Sequence, residues 1–330
     1  MASRHTVVIY NPFAGAFRRR RRKHWLDQSV EVLRSLGDDV DIRPTTGAGT
    51  ATQIARHAVE DGAGLILACG GDGTVNEVMN GMVFSKVPMG ILPAGTANVL
   101  AMELGMGTGM VEIAGNLSTY IPERIAVGAL RNDPQADPRY FMLMAGIGLD
   151  ADIVYKLDSN LKNSLGKIAY WLAGFSQLGR RIPEFTVTVN GRSCRASFAL
   201  ASRVRNYGGD LEIARTISLL DDDLELVLFS GESSFGYLKY MLGVATGRLN
   251  GMRGVTILRT SSLTCSSPAE LGDKGKDSRV LIQVDGEHAG ELPFEITIVP
   301  RALTLLVPPD FRLRRPLSVP EAAWTTSPTR

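Results

Sequence analysis

Three glycines and one acid stand together at Gly70-Gly71-Asp72-Gly73, directly behind the apolar run Leu65-Ile66-Leu67-Ala68-Cys69. Glycine lets backbone amides approach an anionic ligand with no Cβ in the way. Thr74-Val75-Asn76-Glu77 follows and opens a helical pattern, whose first N–H groups and positive dipole end favour an anion. Asp72 sits at the centre, where a carboxylate could meet a metal ion or a hydroxyl proton. These residues fit a phosphate-handling loop. They also fit an ordinary Gly-rich strand-to-helix turn, with Thr74 and Glu77 spaced as a capping box.

Two further acidic stretches could carry oxygen chemistry. Asp221-Asp222-Asp223 precedes an apolar strand. Hard cations take oxygen ligands, and Mg²⁺ commonly uses one or two carboxylates with carbonyls and water. A polar turn explains the same residues. Gln283-Val284-Asp285-Gly286-Glu287 places two acids on a hairpin turn, which turn chemistry alone also explains.

Other chemistries lack their residues. The chain has no GxxxxGK[ST] phosphate loop. Gly146-Ile147-Gly148-Leu149-Asp150-Ala151 matches a loose dinucleotide pattern, but it follows a strand in a β-rich half with no clear βαβ unit around it. His5, His24, His57 and His288 show no metal-ligand spacing. Cys69, Cys194 and Cys265 lie far apart, which argues against a zinc site, a disulfide framework or a thiol nucleophile and fits a reducing cytoplasm.

The elements that must position these residues change character along the chain. Thr6–Tyr10, Asp39–Arg43, Leu65–Cys69 and Val87–Pro93 read as strands alternating with helices, which indicates a parallel α/β sheet. Thr45, Gly71–Thr74 and Gly95–Asn98 each follow a strand end, where ligands of such sheets bind. Beyond about Pro122 short strands dominate, Asn190-Gly191 and Asp285-Gly286 mark hairpins, and an antiparallel sandwich is expected. Helical inserts are expected at about Lys162–Leu178 and Phe235–Leu249. The expected division is 1–124, 125–311 and a disordered tail at 312–330.

Composition narrows the class. The 330 residues are 44% hydrophobic and 21% charged, which suits a globular protein with room for two cores. A net charge of +2 does not suggest nucleic acid. The charge is uneven, however: residues 1–24 hold seven Arg and Lys and no acid. Arg18, Arg19, Arg20, Arg21, Arg22 and Lys23 form a run that reads either as a solvated helix end or as a patch for anionic headgroups or phosphates. No aromatic residues interleave it, so nucleic-acid binding is disfavoured. No apolar run reaches the ~18 residues of a spanning helix and no signal-peptide core opens the chain, so membrane contact is expected to be peripheral.

Taken together, Gly70-Gly71-Asp72-Gly73-Thr74-x-Asn76-Glu77, with Asn11-Pro12 before it and Gly95-Thr96-Ala97-Asn98 after it, resembles the diacylglycerol-kinase catalytic domain. Gly146–Ala151 and Asp285-Gly286-Glu287 resemble the second half of the bacterial soluble lipid kinases of that superfamily. The Gly-Gly-Asp-Gly-Thr motif alone is shared with NAD kinases and, more loosely, phosphofructokinases.

The resemblance implies an NAD kinase/phosphofructokinase-like α/β domain followed by an antiparallel sandwich. It also implies ATP-dependent, Mg²⁺-assisted phosphorylation of a lipid hydroxyl in a cleft between two domains. Thr45, Gly71, Asp72, Gly73, Thr74, Val75, Asn76, Glu77 and Thr96 would then contact nucleotide. Glu287 would be the catalytic base, and Asp72 would position phosphate and metal. A structural Mg²⁺ would take Asp221 with the carbonyls of Ser218 and Asp223.

Two positions depart from the family pattern. Asp222 stands where a glycine is usual, and Ala126 where a strand acid is common. Diacylglycerol is the first acceptor expected, with sphingoid bases, ceramide, NAD and a non-catalytic sensor as alternatives. The resemblance places the protein in the cytoplasm at the inner membrane face and leaves a homodimer open.

Overall fold

The computed structural model describes residues 3–15, 23–148, 151, 182–207, 211–231, 234–267 and 279–313. Arg18–Arg22 of the basic run, the expected helix at 162–178, Leu149 and Asp150, and the tail from 314 onward lie outside the described residues. These divide into two compact units, one drawn from Met1–Val127 with Val299–Arg315 and the other from Gly128–Ile298.

The first unit runs β1 (Arg4–Tyr10), α1 (Lys23–Ser35), β2 (Asp38–Pro44), α2 (Thr50–Glu60), β3 (Leu65–Gly70), α3 (Asp72–Met82), β4 (Pro88–Pro93), α4 (Val99–Leu104) and α5 (Met110–Asn116), and then β5 (Ile121–Arg131) begins. β2, β1, β3 and β4 pair side by side, all parallel. Every residue of β3 is buried, as expected of a strand covered on both faces. On α1, Leu26, Val30 and Leu33 form the buried stripe that packs with Ile113 and Ala114, whereas Trp25 and Leu36 are exposed. Each fully buried Leu or Val of that stripe is worth about 1.5–3 kcal/mol.

The second unit contains β6 (Arg139–Phe141), β7 (Met144–Gly148), β8 (Phe185–Val189), β9 (Arg192–Ala196), β10 (Phe198–Ser202), β11 (Asn206–Tyr207), β12 (Leu211–Glu212), β13 (Leu224–Phe229), α6 (Ser234–Ala245), β14 (Val255–Thr260), β15 (Ser262–Ser266), β16 (Leu281–Val284), β17 (Glu287–Glu291) and the start of β18 (Phe294–Val307). One antiparallel sheet has the order β14-β13-β10-β7-β16-β17. Phe185, Val187 and Val189 of β8 alternate inward and share a core with Leu224, Leu226 and Leu228 of β13. β13 is buried throughout because Tyr240 of α6 stacks on Phe229 from the far side, at a ring separation of 4.6 Å. β7 pairs antiparallel with both neighbours, so its Gly146-Ile147-Gly148 belongs to no βαβ unit.

β18 is a single strand, with a left-handed Arg301 beside Pro300 marking its irregular point. Its first part pairs with β15 in the second unit, and Thr304 and Leu305 pair in parallel with Pro88 and Met89 in the first. β9 and β15 were not expected as separate strands. β9 is mostly polar and exposed, so it lacks the apolar signature of a strand.

Candidate active site

In the first unit, four loops meet at the carboxyl ends of adjacent parallel strands. Asn11, after β1, donates from its backbone N–H to the Cys69 carbonyl and from its side chain to Thr74 Oγ1 at 3.3 Å. Thr45, after β2, is buried and donates its N–H to the Tyr10 carbonyl. The Ala94 N–H reaches the Gly70 carbonyl at 2.8 Å.

Gly71 and Gly95 lie backbone against backbone. A Cβ on Gly95 would stand 2.5 Å from the Gly71 Cα, and one on Gly71 would stand 3.2 Å from the Gly95 Cα. The Gly95 loop is tied to itself by Asn98, whose Oδ1 accepts the Gly95 N–H at 2.8 Å and whose Nδ2 donates to the Gly95 carbonyl. Gly15 faces Thr96, with 3.1 Å from the position of its absent Cβ to Oγ1. This is the glycine arrangement a backbone cradle for phosphate requires.

Asp72 opens α3 and joins the two loops. Its carboxylate receives the Leu100 N–H of α4 at 3.4 Å. Burial pushes its carboxyl above the ordinary value, and N–H groups of Val99, Leu100 and Asn98 offset this in part.

The capping box at Thr74 and Glu77 is not built. α3 begins earlier, with Gly71 at its N-cap and no side-chain cap, so Thr74 already lies inside the helix. Glu77 instead caps a neighbour: its carboxylate accepts the Ala51 N–H in the first turn of α2 at 3.1 Å, where Gly49 supplies no cap. The Glu77 carbonyl accepts Thr52 Oγ1. Thus Thr45, Gly71, Asp72, Gly73, Thr74 and Thr96 cluster at the strand ends. Val75 and Asn76 are buried on α3, and Glu77 ties α3 to α2.

In the second unit, Asp285-Gly286 forms a two-residue turn with both residues at positive φ. The buried Asp285 carboxylate accepts three backbone N–H groups, from Met142 at 3.0 Å, Leu143 at 3.0 Å and Met144 at 2.9 Å. That locks the turn onto β7 and sets where Glu287 emerges. The Glu287 side chain is 48% exposed and pairs with Arg139 at 2.7 Å. Asp285 and Asn98 lie in stretches that the sequence marks, whereas Arg139 and Gly15 were not singled out from sequence. Ala126 is buried in β5, in an apolar environment.

The Asp221–Asp223 turn is also in this unit. Asp221 Oδ2 accepts the Ser218 N–H at 2.9 Å, and the Ser218 carbonyl accepts the Asp221 N–H. Two arginines converge on it. Arg259 donates from Nε to Asp223 at 3.0 Å, from Nη2 to Asp221 at 2.8 Å and again to Asp223, and from Nη1 to the Thr216 carbonyl at 2.7 Å. The buried Arg203 donates to the carbonyls of Leu219 at 2.8 Å, Asp221 at 3.2 Å and Asp223 at 3.4 Å.

The Diacylglycerol kinase catalytic domain family matches residues 5–130. The YegS C-terminal NAD kinase beta sandwich-like domain matches residues 144–307. This chain belongs to the diacylglycerol kinase catalytic-domain superfamily. It is 28% identical to a diacylglycerol kinase of Bacillus subtilis (strain 168) over 92% of this chain and 96% of that one. A diacylglycerol kinase of Staphylococcus aureus (strain MRSA252) is 25% identical, with 92% of each chain covered. In fold, it is similar to a solved chain described as a diacylglycerol kinase from Bacillus anthracis str. Sterne, with a TM-score of 0.73 at 21% identity over 93% of this chain and 97% of that one. The catalytic-domain match covers the α/β unit with its glycine loops, and the beta sandwich-like match covers the strands that carry Glu287.

Proposed function

We propose that this chain is an ATP-dependent lipid kinase whose first acceptor is diacylglycerol and whose product is phosphatidic acid. One observation carries the nucleotide side of this reading: the backbone approach of Gly71 and Gly95, with Asp72 at the junction of their loops. ATP supplies the phosphoryl group, with Mg²⁺ neutralising its phosphates.

The chain's own residues position and accept. The loops around Thr45, Gly71–Thr74 and Thr96 would present N–H and hydroxyl groups to the phosphates. Val75, Asn76 and Glu77 continue that stretch and hold its helix in place. Asp72 supplies the carboxylate that organises phosphate and metal. When the lipid hydroxyl oxygen bonds to phosphorus, the bond to the β,γ-bridging oxygen breaks and ADP leaves. The hydroxyl proton passes to the Glu287 carboxylate. Phosphoryl transfer asks little more of a protein than positioning and charge neutralisation.

The acceptor is a membrane lipid, so the enzyme must work at an interface. Among the described residues no helix is long and apolar enough to cross a membrane. Arg18–Lys23 would meet anionic headgroups and hold the protein at the cytoplasmic face. Vesicle sedimentation tests this: stronger binding to anionic than to neutral vesicles is expected, and equal binding removes the electrostatic attachment.

The acceptor is tested by offering purified protein ATP with diacylglycerol, a sphingoid base, ceramide and NAD in separate reactions. Turnover of diacylglycerol above the rest supports the reading. Preference for NAD replaces it with an NAD kinase, and ATP binding without any transfer replaces it with a sensor.

A further inference from the structure

We propose that in this chain two arginines, Arg259 and Arg203, hold the Ser218–Asp223 turn in place of the structural divalent cation that the family resemblance implies there. Each group of the implied ligand set already accepts a hydrogen bond, the Asp221 carboxylate doing so at Oδ2. The Asp221 carboxylate takes Arg259 and the Ser218 N–H, the Ser218 carbonyl takes the Asp221 N–H, and the Asp223 carbonyl takes Arg203.

The geometry suits guanidinium and not a metal. A hard cation gathers six or more oxygens around one point. Here the acceptors are spread over two planar forks: Thr216, Asp221 and Asp223 around Arg259, and Leu219, Asp221 and Asp223 around Arg203. Two always-charged arginines bring the same formal charge as one divalent ion. A further dication at Asp221 would sit against the Arg259 guanidinium, which is 2.8 Å from Oδ2.

The surroundings fix the arginines as firmly as the turn. Arg259 lies on β14 directly opposite Glu225 of β13. The buried Glu225 carboxylate accepts the N–H groups of Arg215 and Thr216, anchoring the segment that leads into the turn. Asp222, which stands where the family pattern has glycine, is exposed and adds a third negative charge beside the arginines.

The test needs no activity assay and does not depend on the proposed reaction. Thermal melts of the full chain without nucleotide are compared in EDTA and in millimolar MgCl₂, with Mg²⁺ titrated calorimetrically into wild type and Asp221→Asn. The expected result is the same melting temperature in both buffers and no Mg²⁺ binding that Asp221→Asn removes. Arg259→Gln should melt several degrees lower in EDTA, and Arg259→Lys should recover part of the loss. A wild-type melting temperature that rises with Mg²⁺, together with a titration lost in Asp221→Asn, overturns the proposal. An Arg259→Gln variant as stable as wild type in EDTA also overturns it. If Arg259→Gln does not fold, the wild-type and Asp221→Asn titrations still decide.

Discussion

Arg139 holds Glu287 from one side: one terminal nitrogen lies 2.7 Å from Oε2, and the other reaches the His288 carbonyl at 2.8 Å. The arginine therefore grips both the side chain and the strand that carries it. The family resemblance leads to an expected acid where this chain has the buried Ala126, and the side chain paired with Glu287 is instead a cation from β6. Arg139→Gln is expected to lower kcat about tenfold, equivalent to ~1.4 kcal/mol, with the KM for ATP unchanged. Arg139→Lys should recover part of kcat. Steady-state kinetics check this; an unchanged kcat in Arg139→Gln removes the positioning role.

Asp285 sets the base of the same turn. Its carboxylate is committed to three N–H donors, and an amide can replace only one of its two oxygens. Asp285→Asn should turn an amide N–H₂ toward a backbone N–H and cost about 1–3 kcal/mol. Urea unfolding measures it, and a variant as stable as wild type would show that the turn does not depend on these bonds.

Asp72 couples stability to pH. Burial raises its carboxyl in the folded state. Such a group favours folding while protonated, and that contribution is lost as pH rises through its folded-state pKa. Asp72→Asn has no charge to bury. Its melting temperature should exceed that of wild type near neutral pH, and the gap should close on acidification below the usual carboxylate range. Kinase activity should fall while stability rises. Melts at matched pH decide, and a variant less stable than wild type at neutral pH contradicts the burial cost.

The fold was legible in sequence where chemistry punctuates it. Leu65–Cys69 running into Gly70-Gly71-Asp72-Gly73 announces a buried strand and a backbone cradle, because only glycine permits the Gly71–Gly95 approach. Asn190-Gly191 and Asp285-Gly286 mark hairpins because both positions of each turn need positive φ.

Long-range partnerships were not legible. Nothing local to Arg259 indicates Asp221 and Asp223, which reach it only through the β13–β14 pairing. Glu77 read as a cap for its own helix, but it caps α2, because α3 starts at Asp72 and leaves Glu77 facing Ala51. β9 was missed because Arg192–Ala196 is polar and pairs at an edge.

The most direct measurement incubates the protein with γ-labelled ATP and a total lipid extract and identifies the labelled product by mass spectrometry, with Glu287→Gln in parallel. The expected product is phosphatidic acid, formed about 10²–10⁴-fold more slowly by the variant, the range over which a positioned general base contributes. No labelled lipid from the folded wild-type protein, or equal labelling by Glu287→Gln, would contradict the assignment of a lipid kinase with Glu287 as its base.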